Sequence, residues 1–330
     1  MMANSKITDT LSRRTFLIRG AAATTSVALA RSAFGAAKRV RIRNPKLPAG
    51  AAGSIWIGGD LQVNRIGLGT AVFIPFKGVP GDYSATRAVL RRAYDLGVNF
   101  IDTANGYAGA EQFISDALYP YPSDLVIATK GGSNVDVPAS GGLYGRPEHL
   151  RAACEESLKR LKLDQIALYY MHERPDPKVP YEDSIGELGK LQKEGKIRHI
   201  GVSNVNAEQL AIARSIVTVV AVQNRYDILS RGSDDILATC EREHMVFVPY
   251  AQFGGRRDPH ALNSEDARLA GFQVLAQERH IDLPQVELAW LLARSPVMVV
   301  IPGTTKVDHL ADDIAAAKVR LTKHEMEQIG

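Results

Sequence analysis

Four side chains that could move a proton lie at or just after the ends of three β-rich runs. Asp102 and Tyr107 follow the run that begins at Asn99, while Lys130 and His172 end the next two runs. A free tyrosine has a pKa of about 10, and a neighbouring ammonium lowers it by favouring the phenolate. The set predicts general acid catalysis in which Tyr107 is the acid, Lys130 is the charge beside it and Asp102 orients Lys130. His172 would hydrogen-bond the substrate oxygen.

These side chains converge only if the strands that carry them are parallel neighbours. The chain alternates eight β-rich runs with helical stretches of period 3.6, and no domain-sized linker interrupts them. This order predicts an α/β fold, a closed (β/α)8 TIM barrel whose active site lies at the carboxyl ends of the strands. An open doubly wound sheet is not favoured, because its third glycine is missing after Gly67 and Gly69. The predicted strands are Arg65–Thr70, Asn99–Ala104, Leu125–Lys130, Gln165–His172, His199–Asn204, Val219–Tyr226, Met245–Tyr250 and Val297–Pro302.

The boundaries between these elements carry their own signals. Asn206 and Ser233 suit helix N-caps, and Gly97 and Gly195 suit helix ends. Ahead of the barrel, Ser54–Asn64 is typical of a β-hairpin with a glycine-rich turn. The predicted domains are a signal peptide (residues 1–37), a linker (38–53) and the barrel (54–330). The predicted helices are Ala85–Leu96, Ala110–Leu118, Pro147–Leu161, Ser184–Glu194, Ala207–Ile216, Asp234–His244, Glu265–His280, Leu283–Arg294 and Lys306–Val319.

The net charge of +4 comes from the N-terminal segment, since residues 1–37 contain five basic residues and one acidic residue. The remaining chain is close to neutral. Nucleic-acid binding usually requires a basic face and a clearly positive domain. The charge distribution therefore argues against a nucleic-acid partner.

The N-terminal segment has the order of an export signal. Arg13 and Arg14 precede a weakly apolar run, Gly20–Ala30, and small residues cluster at Ala33–Ala37. This order predicts a cleaved twin-arginine signal, the twin-arginine export machinery as a partner, and a periplasmic or exported mature protein. A chain that did not use the signal would be cytoplasmic. The apolar run is shorter than the roughly 20 residues of a membrane span, so the mature form is expected to be free of the membrane.

The sequence predicts neither a metal site nor a disulfide framework. Its two cysteines, Cys154 and Cys240, form no CxxC pair and fall in amphipathic helical stretches, so both are expected to pack in the core. No His-x-His pattern is present, which disfavours a metal-dependent hydrolase barrel.

Five short motifs each lie at a predicted strand end. They are Asn99-Phe-Ile-Asp-Thr-Ala-Asn-Gly-Tyr107, Ala128-Thr-Lys130, Tyr169-Tyr-Met-His172, Gly201-Val-Ser-Asn204 and Ile301-Pro-Gly-Thr304. Together they resemble the aldo-keto reductase superfamily, from about Ser54 to the C-terminus. The resemblance implies an NAD(P)H-dependent oxidoreductase that converts aldehydes or ketones into alcohols, with Asp102, Tyr107, Lys130 and His172 as its catalytic set.

The same resemblance implies where a nicotinamide cofactor would bind. Residues matching Ser203, Asn204 and Gln223 hold the carboxamide in the family, and an aromatic residue matching Tyr250 stacks on the ring. NADPH is favoured, and NADH is possible, because Lys306 and the neighbouring histidine are the remaining cations for a 2′-phosphate. The other residues expected to line the cofactor site are Gly69, Thr70, Phe253, Gly303, Thr304, His309 and Asp313.

The sequence thus favours an exported, monomeric carbonyl reductase. A second interpretation remains open, in which the barrel binds cofactor without turnover and acts as a redox sensor or a partner subunit. The loops after Thr70, Lys130 and Tyr250 are expected to set specificity. Phe73, Phe76 and Tyr144 predict an apolar substrate pocket, but the substrate itself is not specified.

Overall fold

The computed structural model describes residues 38–73, 83–107, 109–133, 145–173, 178–253 and 269–329. Several predictions fall outside the described residues. These are the signal segment at residues 1–37, the pocket residues Phe76 and Tyr144, and the first four residues of the helix expected to begin at Glu265. In the described part, no helix is long and apolar enough to cross a membrane.

A parallel sheet in strict chain order forms the barrel wall, as the βα rhythm predicts. Most of its strands are near-continuous apolar runs, because both of their faces are buried. Ahead of them, an antiparallel hairpin is formed by β1 (Ser54–Ile57) and β2 (Leu61–Asn64), as expected. The wall consists of β3 (Leu68–Gly69), β4 (Phe100–Asp102), β5 (Val126–Gly131), β6 (Ile166–Met171), β7 (Ile197–Ser203), β8 (Val219–Arg225) and β9 (Val246–Tyr250).

The eighth predicted strand, Val297–Pro302, closes the barrel without forming a regular ladder. Phe247 of β9 bridges Met298, and Ile66, just before β3, bridges Val300, both in parallel. The first and eighth strands therefore form fewer regular β-ladder pairs than the sequence predicts. Single bridges on each side still join the wall into a closed (β/α)8 barrel.

Helices cover the outside of the wall, and their buried residues recur at helical spacing. In the helix that follows β5, Leu150, Cys154, Ser157 and Leu161 are buried on one face. Both cysteines of the chain are free and buried, which confirms their packing role. The helices are α1 (Tyr83–Asp95), α2 (Ala110–Leu118), α3 (Pro147–Leu161), α4 (Tyr181–Lys193), α5 (Ala207–Ile216), α6 (Asp234–Glu243), α7 (Ala270–Arg279), α8 (Leu283–Arg294), α9 (Val307–Ala315) and α10 (Lys323–Ile329).

Three of the four predicted boundary signals are confirmed, although several helices begin or end a few residues from their predicted bounds. Asn206 caps α5 through a reciprocal capping box with Gln209, and Gly97 and Gly195 adopt the positive φ expected after helix ends. Ser233 precedes α6 but makes no capping hydrogen bond. Its hydroxyl instead accepts a hydrogen bond from a buried amide of β8, so a tertiary contact replaces the expected local cap.

Residues 38–53 are predicted to be a linker, but from Arg39 onward they belong to the compact unit that contains the barrel. Pro48–Ala52 is a short 3-10 helix in which Ala49 is fully buried. The Ala49 amide donates to the carbonyl of Leu96 at 2.9 Å, and Val40 bridges the hairpin strand β2. The Pro/Gly-rich composition therefore reflects tight packing behind α1 and not a flexible connection.

The hydrophobic core has two parts, one between wall and helices and one inside the barrel. The inner part joins apolar residues of the hairpin to inward residues of the wall, so that the hairpin plugs the amino-terminal end of the barrel. It contains Ile57, Leu61, Val63, Phe100, Val126, Ala128, Leu168, Tyr170, Ala221, Val246, Val248, Val299 and Ile301.

Candidate active site

Lys130 lies near the end of β5 as a fully buried cation with three polar partners. Its Nζ donates to Oδ1 of Asp102 at 2.5 Å and to the carbonyl of Thr103 at 2.8 Å. Tyr107 faces it as well, since Nζ lies 5.1 Å from the centroid of that ring, and the interaction with Tyr107 favours the charged form of Lys130. At least two of the three ammonium donors are thereby used.

The partners of Lys130 keep it charged despite its burial. Burial alone lowers the pKa of an ammonium, because the charged form loses its hydration. Here the charge of Asp102, the electrostatic interaction with Tyr107 and the hydrogen bonds to both outweigh burial, so the pKa of Lys130 is raised. The site therefore holds a permanent cation beside the phenol, as the sequence predicts.

Asp102, which ends β4, is held on both carboxylate oxygens. Its Oδ1 accepts from Lys130, and its Oδ2 accepts from Nε2 of Gln223 at 2.8 Å within the barrel. The Asp102 carbonyl accepts from both the amide and the hydroxyl of Thr70, at 3.0 Å each. Gln223 was predicted only as a cofactor contact, and its bond to Asp102 was missed.

Tyr107 and His172 face each other at the rim. Tyr107 follows β4 on a short loop, His172 follows β6, and their rings meet edge to face with centroids 5.7 Å apart. Burial, reinforced by the charge of Lys130, lowers the pKa of His172 to about 3. The imidazole is therefore neutral at physiological pH, and it can offer one N–H donor and one acceptor.

Asn204 ties the ends of three strands together. Its Oδ1 accepts from the Tyr250 hydroxyl at 2.5 Å, and its Nδ2 donates to the His172 carbonyl at 2.9 Å and to Oγ of Ser203 at 3.1 Å. Its φ of 58° is in the left-handed region, which asparagine tolerates better than most residues. Because both amide protons are used, the hydroxyl proton of Ser203 is the group left to face a ligand.

Two glycines bring the first and eighth strands together at the same rim. A Cβ on Gly69 would lie 2.6 Å from the carbonyl oxygen of Ile301, and a Cβ on Gly303 would lie 2.6 Å from the carbonyl oxygen of Gly69. Such contacts exclude any side chain. Glycine is therefore required at both positions for the two segments to pack this closely.

The residues predicted to meet the adenosine end of a cofactor form a second group at the start of α9. The Thr304 hydroxyl accepts from the amide of Lys306, whose side chain is exposed, and His309 lies half-buried one turn later. Asp313 is buried, and its pKa is raised well above the usual range by burial and by the charges of two nearby aspartates. Phe253 packs in the core between wall and helices.

The rim offers features that fit a bound dinucleotide. Among the described residues, several buried side-chain atoms have no hydrogen-bond partner, and they include Nδ1 of His172, just after β6, and Nε2 of Gln252, just after β9. Buried polar groups are normally paired, so a polar ligand is expected to supply the missing partner. The half-buried ring of Tyr250 presents an aromatic surface nearby. The described residues include no group of three or more metal-ligating side chains.

A second buried charge near the site was missed by sequence reasoning. Glu111 of α2 is 1% exposed and accepts from Thr129, the residue before Lys130. Its signal was present in the sequence, since Glu111 interrupts the apolar face formed by Ala110 and Ile114. A charged residue on the buried face of an amphipathic helix requires a specific partner.

Comparisons with known proteins agree with this geometry. Residues 65–330 match the model of the Aldo/keto reductase family. An uncharacterized oxidoreductase of Schizosaccharomyces pombe is 38% identical over 281 residues, which cover 83% of this chain and 88% of that protein. Pyridoxine 4-dehydrogenase of Escherichia coli is 35% identical, covering 82% of this chain and 95% of that protein. A crystal structure of an aldo/keto reductase from Klebsiella pneumoniae in complex with NADP and acetate is 28% identical with a TM-score of 0.70, covering 84% of this chain and 93% of that one.

Proposed function

The chain belongs to the aldo/keto reductase family of NAD(P)H-dependent oxidoreductases, and we propose that it reduces an aldehyde or ketone to an alcohol with Tyr107 as the general acid. The observation that carries this proposal is the buried Lys130, charged and in contact with both Asp102 and Tyr107. A cation in that position stabilises a phenolate, which is what a tyrosine becomes after it donates its proton.

The residues around the rim fit NADPH as the reductant. The bound cofactor would supply the hydride that reduces the carbonyl carbon. Ser203 and Gln223 would hold the carboxamide, with Asn204 orienting Ser203, and Tyr250 would lie against the ring. Support for the phosphorylated form comes from the exposed Lys306 and from the solved relative that binds NADP. The remaining residues proposed to line the cofactor are Gly69, Thr70, Phe253, Gly303, Thr304, His309 and Asp313.

Four side chains take part in proton transfer in this proposal, and Tyr107 is the one that gives the proton. The Tyr107 O–H bond breaks as the proton bonds to the carbonyl oxygen of the substrate, which becomes the alcohol hydroxyl. Lys130 stabilises the resulting phenolate, and Asp102 keeps the ammonium aimed at it. Neutral His172 donates a hydrogen bond to the same substrate oxygen and so orients it against Tyr107. Solvent then returns the proton to the phenolate.

Tyr107→Phe tests the acid role directly. The variant removes one hydroxyl, so we expect kcat for NADPH-dependent reduction to fall by roughly 10²–10⁴-fold while the Kd for NADPH stays unchanged. The assay would use an aldehyde and ketone panel that includes 4-nitrobenzaldehyde and pyridoxal, since one relative is named for pyridoxine. Tyr121→Phe is the control, because its hydroxyl donates to a carbonyl of α3 on the outer layer.

Two outcomes would count against this function. Wild-type rates in Tyr107→Phe would remove the acid from the mechanism. Tight NADPH binding without reduction of any panel member would instead support a sensor or partner subunit.

Sedimentation of the purified protein would test the further proposal that it acts as a monomer.

We also propose that the chain is exported by the twin-arginine route. The support is in the sequence alone, where Arg13 and Arg14 directly precede an apolar run and a cluster of small residues. Replacing both by lysine should leave the protein uncleaved in the cytoplasm of a bacterium with that pathway. Unchanged processing and fractionation of the double variant would contradict export by this route.

A further inference from the structure

The loop that carries Tyr107 rests on a buried polar network outside the barrel wall. The backbone N–H of Asn105, two residues before Tyr107, donates to the backbone carbonyl of Lys130 at 3.0 Å. The Asn105 carbonyl accepts from Arg160 of α3 at 3.1 Å. The Asn105 side chain donates to α3 as well, to the carbonyl of Ala153 at 3.3 Å. The backbone before Tyr107 is thus anchored to the strand of its proposed partner and to α3.

Glu111 anchors the chain on the other side of Tyr107. It lies in the first turn of α2, and its Oε1 accepts from the Thr129 hydroxyl at 2.6 Å. Its Oε2 pairs with Arg160 at 3.4 Å. Side chains alternate along a strand, so Thr129 faces the helices while Lys130 faces the barrel interior. The chain is therefore bonded to the strand that holds the ammonium at Asn105 before Tyr107 and at Glu111 after it.

Burial gives these contacts their importance. Glu111 is 1% exposed, and burial raises the pKa of its carboxyl, although hydrogen bonds from Thr129 and Ser157 and the charge of Arg160 oppose that shift. An acceptor buried in this way cannot exchange its protein partners for water. Loss of one of these partners would therefore leave a buried acceptor unsatisfied.

We propose that Glu111 and Arg160 are positioning residues that hold the Tyr107 loop in register with Lys130. The inference rests on the proposed function, since it assigns Tyr107 as the acid. Proton transfer depends steeply on distance and direction, and a displacement of about 1 Å can lower a rate by about 10²-fold. Glu111 touches neither substrate nor cofactor in this account, and it acts only through the placement of Tyr107.

The same helix provides a matched control. Arg151 of α3 pairs with Glu187 of α4 at 2.7 Å, and the Glu187 side chain is only 4% exposed. Both pairs thus join a buried helix glutamate to an arginine of α3. Only the pair of Glu111 and Arg160 contacts the loop that carries Tyr107.

The experiment compares Glu111→Ala with Glu187→Ala. Both should lower the melting temperature, and both are assayed well below it with NADPH and 4-nitrobenzaldehyde. We expect Glu111→Ala to lower kcat by about 10- to 100-fold, with the Kd for NADPH unchanged in a fluorescence titration, and Glu187→Ala to keep kcat within about twofold. Glu111→Gln should restore most of kcat, because its amide oxygen still accepts from Thr129.

If Glu111→Ala fails to fold, Thr129→Val removes one hydrogen bond to Glu111 with little change in side-chain shape. Thr129→Ser restores the hydroxyl and should restore kcat.

The decisive experiment combines Glu111→Ala with Tyr107→Phe. If Glu111 acts only through the Tyr107 hydroxyl, adding Glu111→Ala to Tyr107→Phe should have almost no further effect on the rate of single-turnover reduction. Equal losses of kcat in Glu111→Ala and Glu187→Ala would overturn the proposal. It would also be overturned if Glu111→Ala lowered the rate of Tyr107→Phe by the same factor as it lowers that of the wild type. Wild-type rates in Tyr107→Phe alone would overturn the acid assignment itself, which is a separate result.

Discussion

The ammonium of Lys130 is 0% exposed, and polar partners surround it. It donates to Asp102 and Thr103 and lies beside Tyr107. Removing one partner of a buried ion pair costs about 3–5 kcal/mol, because the other charge is left without compensation. Variants at Asp102 are therefore expected to report on folding as well as on proton transfer, which makes Tyr107 the cleaner residue for testing catalysis.

His172 gives a prediction about stability and pH. Its pKa is lowered to about 3 by burial and by Lys130, whereas an unfolded histidine titrates near 6.5. Between these values the unfolded chain binds a proton that the folded one excludes. The contribution of neutral His172 is therefore present above about pH 6.5 and is lost as the pH falls toward 3, at up to about 1.4 kcal/mol per pH unit.

Urea unfolding of the wild type and of His172→Gln from pH 7 to pH 4 measures this contribution. Glutamine is neutral throughout, so the free energy of unfolding of the variant should fall less steeply as the pH is lowered. The difference between the two slopes should approach that of one proton, about 1.4 kcal/mol per pH unit. Identical slopes for the two proteins would show that the imidazole is not held neutral by the fold.

Among the elements, the N-terminal hairpin is the part whose attachment depends most clearly on a few polar contacts. Asp60, at its turn, accepts from Arg198 at 2.6 Å and contacts Nε2 of His199 at 2.6 Å, both at the start of β7. The turn also packs closely, since a Cβ on Gly58 would lie 2.2 Å from the His199 ring. These contacts lie at the end of the barrel opposite to the rim that carries Ser203.

Asp60→Ala should therefore separate stability from activity. Hydrogen bonds to charged groups contribute about 1.5–3 kcal/mol each, and the side chain is 23% exposed, so we expect a loss of about 2 kcal/mol in the free energy of unfolding. We expect kcat to stay within about twofold. Arg214→Ala breaks a more exposed pair with Glu243 and should cost less than about 1 kcal/mol. A large loss of kcat in Asp60→Ala would show that the two ends of the barrel are coupled.

At the scale of the whole molecule, the barrel has an apolar interior and a polar rim at the carboxyl ends of its strands. The hairpin residues and the inward wall residues form a continuous apolar interior, and the buried ion pair of Asp102 and Lys130 lies where that interior meets the rim. A low-dielectric floor under a polar rim strengthens each electrostatic interaction at the rim. Closure of the barrel thus forms the apolar core and also strengthens the electrostatic interactions of the candidate site.

The fold and the four central residues could be predicted because their signals are local. The alternation of apolar runs with helical periodicity predicts the barrel, and the chain then places Asp102, Lys130 and His172 at strand ends that must converge. The regular pairing of the first and eighth strands was overestimated. Residue propensity indicates a β-strand, whereas the number of ladder bonds depends on how two distant segments meet.

What the sequence by itself determined was which residue types stand at the rim; the tertiary structure decided what each of them bonds to. The bond from Gln223 to Asp102 joins residues 121 positions apart, and the contact of Glu111 with Thr129 depends on how α2 docks on β5. Asn204 likewise uses its whole side chain on contacts at the ends of β6, β7 and β9. Such bonds follow from the register and docking of elements, which local patterns do not encode, because a shift of one residue turns each strand side chain to the opposite face.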